Sequence, residues 1–290
     1  MKFKIITLLF LSAVLAVSLY YKDALFGIYN NFTENPPDFE KTELGKIVNE
    51  IARDIFLPPP LNIGGQENQV VLVKAKVIAE TNVQRFDNGM LPPVVENAKL
   101  DAIAKAKADD MFEKQYFDHV SPSGTDPGEL VKSFGYNYIV TGENLILGNF
   151  KSEAEVVKLW MDSPGHRENI LNKRYTEIGV AMVKGTYKGQ KVWIGVQEFG
   201  LPLSSCQEPD KSLKAQIDAN KIKLEQLYVE IEAKKEEIDN TNRNSPRYNQ
   251  LVDEYNAMVA EYNSLNDQTK NLISQYNGQV NEFNGCVQGG

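Results

Sequence analysis

The chain has 290 residues, 42% of them hydrophobic, and a formal net charge of −8 at pH 7. That length holds one core of roughly 100–200 residues plus additional parts. The acidic balance, with no basic stripe, argues against nucleic acid as a partner.

The chain begins MKFKIITLLFLSAVLAVSLYY. Lys2 and Lys4 precede the uncharged, mostly apolar run Ile5 to Tyr21, the pattern of an export signal. Residues 1–27 are therefore expected to be a signal peptide or a membrane anchor. The run is short for a membrane span, and Ala16-Val17-Ser18 offers small residues for cleavage. Either outcome makes the chain secreted or membrane-anchored, facing outside the cytoplasm.

Residues 28–68 read as a spacer. Leu44, Ile47, Val48, Ile51 and Ile55 have helical spacing and predict a short amphipathic helix over Glu43–Phe56. Pro58-Pro59-Pro60 ends it, and NIGGQEN reads as a flexible link.

Residues 69–203 read as a compact mixed domain. Helices are expected over Val70–Arg85 and Leu100–Tyr116. A third runs from Ser152 to about Met161, where Ser152 and Glu155 suggest a capping box. Ile178–Val183 and Val192–Phe199 read as strands joined by the turn KGTYKGQ. Helices beside an antiparallel hairpin imply an α+β or sandwich arrangement.

Residues 206–286 have a different grammar. Leu213, Ile217, Leu224, Leu227, Ile231 and Ile238 follow heptad spacing, with Asn220 and Lys234 in two further slots. TNRNSP interrupts. A second seven-residue series follows through Tyr248, Tyr255, Tyr262, Thr269, Tyr276 and Phe283, with Leu251, Met258, Leu265 and Leu272 on the other seam position. The pattern predicts an antiparallel coiled-coil hairpin with arms of about 33 residues. Cys206 and Cys286 flank the arms at similar distances from the turn near Asn244–Pro246, so the hairpin brings them together. A Cys206–Cys286 disulfide is expected, in keeping with an exported chain. The tyrosine stripe is expected to be core.

Both histidines of the chain lie in the compact domain, His119 in YFDHVSPSG and His166 in WMDSPGHRENIL; Glu143 lies in TGENLI between them. Two imidazoles and a carboxylate can hold zinc or another divalent metal. A His–Glu pair can also orient a base for a hydroxyl nucleophile, and Ser121 and Ser163 stand close in sequence to His119 and His166. The three groups can equally hydrogen-bond one another and pin loops. No HExxH, CxxC or GxSxG occurs to decide among these. Asn144 and Asn169 are expected to hold loop backbone, Trp160 to be core, and Gly142 and Gly165 to permit turns.

Taken in order, AETNVQRFDNGMLPPV, YFDHVSPSG, GENL, the W…SPGHRENIL…YTEIGVAM run and WIGVQEFG resemble the CAP superfamily in its bacterial, SCP-like form, over about residues 70–203. The resemblance implies an αβα sandwich with a cleft gathering two histidines and two acidic residues. His119, Glu143 and His166 match three of these positions. At the fourth, three residues after Trp160, stands Ser163, with Asp162 beside it. The family is mostly extracellular, and some members bind sterol, lipid or a divalent metal in the cleft. Two functions follow as expectations. One is an extracytoplasmic binding module with an envelope or extracellular partner for its coiled coil. The other is a secreted hydrolase, metal-dependent or built on Ser163, His166, His119 and Glu143, acting on peptide or cell-wall material.

Overall fold

A computed structural model describes Leu44 and residues 53–289. The expected export segment, residues 1–27, lies outside the described residues. Two compact units divide the chain: Val48–Glu208 with Phe283–Gly290, and Pro209–Glu282 with the N-terminal stretch that contains Leu44.

The larger unit is a sandwich around one sheet. Its strands are β1 (Asp54–Phe56), β2 (Leu61–Gly64), β3 (Val95–Glu96), β4 (Tyr138–Gly148), β5 (Glu177–Tyr187) and β6 (Gln190–Pro202). Their order is β1-β4-β6-β5-β3, with β2 also on β4. The centre is antiparallel, Glu143 of β4 standing opposite Glu198 of β6. The short strands at the edges pair in parallel. The expected β5–β6 hairpin forms and is longer than the sequence suggested.

Strand alternation sends successive side chains to opposite faces. Leu145, Leu147, Ile194 and Val196 pack against Ala104, Ala108 and Met111 of helix α2 (Ala98–Lys114). Ile146 and Phe199 join the opposite core with Val77 of helix α1 (Lys74–Asp87) and Trp160 of helix α4 (Glu153–Asp162). A short helix α3 (Pro127–Ser133) lies between α2 and β4 in sequence, and helix α5 (Pro164–Ile170) follows α4. Trp160 is fully buried in this core, as expected.

β4 carries no apolar–polar alternation in its sequence, since all eleven of its residues are buried. Other local expectations need correcting. Ile55, assigned by its spacing to an amphipathic helix, lies in β1. The stretch read as a spacer and flexible link instead adds β1 and β2 to the β4 edge. Tertiary pairing overrides the local helical pattern there. At Ser152 only half of the capping box forms. Its Oγ accepts from the Glu155 N–H at 3.2 Å, while the Glu155 side chain accepts from Lys151 instead.

The second unit is the antiparallel hairpin of α6 (Lys211–Asp239) and α7 (Pro246–Gly289), with helices of 29 and 44 residues rather than equal arms. Leu224, Leu227, Ile231 and Ile238 pack against Leu251, Tyr255, Val259 and Tyr262. Tyr276 joins Ile217, Ile273 and Val280 further along. The tyrosine stripe is thus core. The last turns of α7 belong to the larger unit, where Phe283 and Val287 share its core with Cys206. Cys206 and Cys286 form the expected disulfide, with a Cα–Cα distance of 5.8 Å.

Candidate functional site

The site grows from the middle of the sheet. Glu143 shares a face with Leu145, so it points toward α2, and Glu198 opposite it points the same way. Both are fully buried or nearly so. Burial first, and Glu143 second, push the Glu198 carboxyl well above the usual carboxylate range. With both groups ionised, neither Glu198 oxygen would have a donor. A proton on Glu198, which faces Glu143 across the ladder, is shared by the pair and relieves the repulsion of two buried charges.

The chain of polar groups continues outward. His119 Nδ1 lies 2.6 Å from Glu143 Oε1, and its Nε2 lies 2.6 Å from the carbonyl of Pro58. A carbonyl can only accept, so Nε2 carries a proton and donates it. Lys107 of α2 closes the cluster from above. Its buried ammonium donates to the His119 carbonyl and, at 3.3 Å, to Tyr116. Burial holds Lys107 below the ordinary lysine value, opposed by the charges of Glu143 and Glu198. A cavity of about 200 Å³, lined by Lys107, Tyr116, His119, Ser121 and Thr125 among others, opens beside it.

Asn144 is the next residue on β4 and faces the other way. Its Nδ2 donates to the His166 carbonyl at 3.2 Å and to Gln197 Oε1 at 3.1 Å. Asn169 donates to the carbonyls of Glu143 and Phe56, each at 3.2 Å, and accepts from the Tyr175 hydroxyl at 2.8 Å. Arg85 of α1, fully buried, fixes this layer by donating to the carbonyls of Ile170 (2.7 Å) and Asn172 (2.9 Å). Burial disfavours the charge on His166 and lowers it from 6.5 to about 4; the nearby His119 acts in the same direction. The Ser163 Oγ lies 2.8 Å from His166 Nδ1, and His166 Nε2 has no hydrogen-bond partner among the described residues.

The structure bonds His119 directly to Glu143, and His119 stands near enough to His166 for its charge to act on that ring. Among the described residues no group of three or more His, Cys, Asp or Glu side chains is arranged to hold a metal ion. The residues as they stand do not fit one, because both nitrogens of His119 are engaged with protein acceptors. Ser121 bonds to Ser123 and to the Thr125 N–H, and neither nitrogen of His119 is left to activate it. Asp162, beside the fourth position, is exposed and paired with Lys158 at 2.6 Å. The second buried carboxylate is Glu198, which the sequence reading passed over. Its one signal was a lone charge inside the apolar run VWIGVQEFG.

Gly142 and Gly165 serve close approach rather than turns, and neither has positive φ. A Cβ on Gly142 would lie 2.2 Å from the Tyr175 hydroxyl and 2.4 Å from Asn169 Oδ1. A Cβ on Gly165 would lie 2.8 Å from Pro58 Cβ.

Residues 78–199 match the cysteine-rich secretory protein family, CAP. The chain is 44% identical over 117 residues to the uncharacterized protein YkwD of Bacillus subtilis (strain 168), covering 40% of this chain and 45% of that one. It is 28% identical over 112 residues to the uncharacterized membrane protein YlbC of the same organism, covering 39% and 32%. The chain thus spans less than half the length of these curated relatives. Among solved structures, an extracellular protein containing a SCP domain from Bacillus anthracis str. Ames is similar at 26% identity and TM-score 0.37, over 44% of this chain and 39% of that one. An outer surface protein from Borrelia burgdorferi is similar at 23% identity and TM-score 0.39, over 44% and 91%. The match to the CAP family thus falls within the sandwich of this chain.

Proposed function

We propose that this chain is an extracytoplasmic binding protein whose CAP domain holds its ligand beside His119 rather than hydrolysing it. One observation carries the reading: His119 is spent on Glu143 and Pro58, with Nδ1 and Nε2 each 2.6 Å from a protein oxygen. A ring held this way is a fixed hydrogen-bond donor, oriented by its carboxylate. His166 does not replace it as a catalytic base. Lowered to about 4, it is a weak base at neutral pH. Ser163 contacts its Nδ1, and among the described residues no carboxylate orients the other nitrogen. The disulfide and the apolar stretch after Lys2 and Lys4 support a place outside the cytoplasm.

The Ser163–His166 contact of 2.8 Å is the one observation that favours a hydrolase. Purified chain and its Ser163→Ala and His166→Ala variants can be incubated with labelled casein and with labelled peptidoglycan. The binding reading expects no turnover above the background of the variants. Release of product by the wild type that both substitutions abolish would overturn it. Zinc titration by calorimetry adds a second check. No stoichiometric binding is expected, and micromolar binding lost in a His119→Ala/His166→Ala double variant would show that the cluster rearranges around metal.

A further inference from the structure

Residues 54–64 take an unusual path. β1 pairs with β4 as far as Phe56 opposite Gly142. Pairing resumes with Leu61 opposite Ile146. Between them, Leu57 to Pro60 leave the sheet beside Glu143, and three prolines in a row supply carbonyls but no N–H groups for a ladder. Pro58 is buried there. Its carbonyl takes the His119 donor, and its ring abuts Gly165, the residue before His166. Pro58 therefore stands between the two segments that bear the histidines. The Phe56 carbonyl accepts from Asn169, and the Phe56 ring meets Tyr175 edge-on at 6.5 Å.

We propose that this groove is a binding site for an extended, proline-containing peptide, and that residues 54–60 are its tethered occupant. The proposal rests on the binding reading above. His119 and Asn169 donate to backbone carbonyls of the occupant, so the site reads an extended backbone, while the Arg174–Asp54 pair at 2.6 Å and the seats of Phe56 and Pro58 add the side-chain preference. This is strand addition at an open sheet edge. The tethered segment is lightly held: β1 pairs over three residues, and Ile55, Phe56 and Leu57 remain 36%, 36% and 37% exposed. A competing peptide must displace a segment whose tether keeps it at millimolar effective concentration, on the order expected for short linkers.

The test uses the full chain and a fluorescent decapeptide of the chain's own sequence from Arg53 to Asn62. An Ile55→Asp/Phe56→Gly variant weakens the tethered segment and leaves β4, His119, Asn169 and Tyr175 untouched. The variant is expected to bind the peptide at least about tenfold tighter than the wild type, and adding Asn169→Ala should remove that gain. A folded variant that binds no peptide, or binds it no better than the wild type, overturns the proposal. Hydrogen exchange on the wild type decides independently of whether the variant folds. The β1 amides are expected to exchange at least about a hundredfold faster than those of β6. Equal protection would make residues 54–60 a fixed part of the sheet and sink the idea. Neither result touches the hydrolase test, whose readout is turnover dependent on Ser163 and His166.

Discussion

In the hairpin, half-buried polar side chains meet partners one to one across the coil: Asn220 donates to Thr269 at 3.1 Å, and Lys234 to Glu254 at 3.0 Å. In the sandwich, polar groups are chained. Glu198 leans on Glu143, Glu143 on His119, His119 on the Pro58 carbonyl, and Lys107 closes over them. The hairpin spreads its polar positions along a seam where each can fail alone. The sandwich concentrates them, so removing one member leaves several others without partners in a medium that penalises them.

The sharpest way to break this contrast is Glu143→Ala. It strips the partner from His119 Nδ1 and from Glu198 at once. A loss of about 3–5 kcal/mol is expected, in the range for breaking a buried charged pair, read as a fall in Tm of roughly 10 °C. A loss below about 1 kcal/mol would mean that the cluster is not a coupled unit. Next in size is Cys206→Ser with Cys286→Ser. The bond closes a separation of 80 residues, and its loss is expected to cost about 2–4 kcal/mol in chemical denaturation.

Glu198→Gln sharpens the account of the shared proton. The folded-state value of Glu198 is raised above its ordinary 4.5, so its contribution is fully present below that value and lost as pH rises through the folded value. Glutamine keeps the donor without the titration. The variant should match the wild type near pH 4 and exceed it in mildly alkaline solution, by a margin that grows as pH rises. Parallel stability curves for the two proteins would refute the shared proton. Smallest is Asn220→Leu in the hairpin. Thr269 keeps its own bond to the Leu265 carbonyl at 2.6 Å, so no orphan is made. A change within about 1 kcal/mol is expected, toward greater stability.

The same contrast governs what could be read in advance. The hairpin was legible because its contacts repeat every seven residues and its cysteines flank the turn. Only the unequal arms escaped, since the last turns of α7 answer to the sandwich core through Phe283 and Val287. In the sandwich, the helices and the β5–β6 hairpin carry local signals. Likeness to the CAP family marked His119, Glu143 and His166. What stayed hidden was non-local. Glu198 becomes part of the site only through its register opposite Glu143, and Pro58 only through the parallel pairing of β1 and β2 to β4. No spacing in the sequence encodes either juxtaposition.

The central claim is that the histidine-bearing segments hold, rather than turn over, what sits beside them. It can be tested most directly by following the two imidazoles of the intact chain by NMR from pH 8 to pH 3.5, with a His166→Asn variant for assignment. The His166 ring should stay neutral until close to pH 4. Its folded value lies below the unfolded 6.5, so its stabilising contribution is present above 6.5 and is lost as pH falls toward 4, a change of about 3 kcal/mol. A His166 midpoint at 6–7 would mean a hydrated ring, accessible as a base beside Ser163, and would contradict the account.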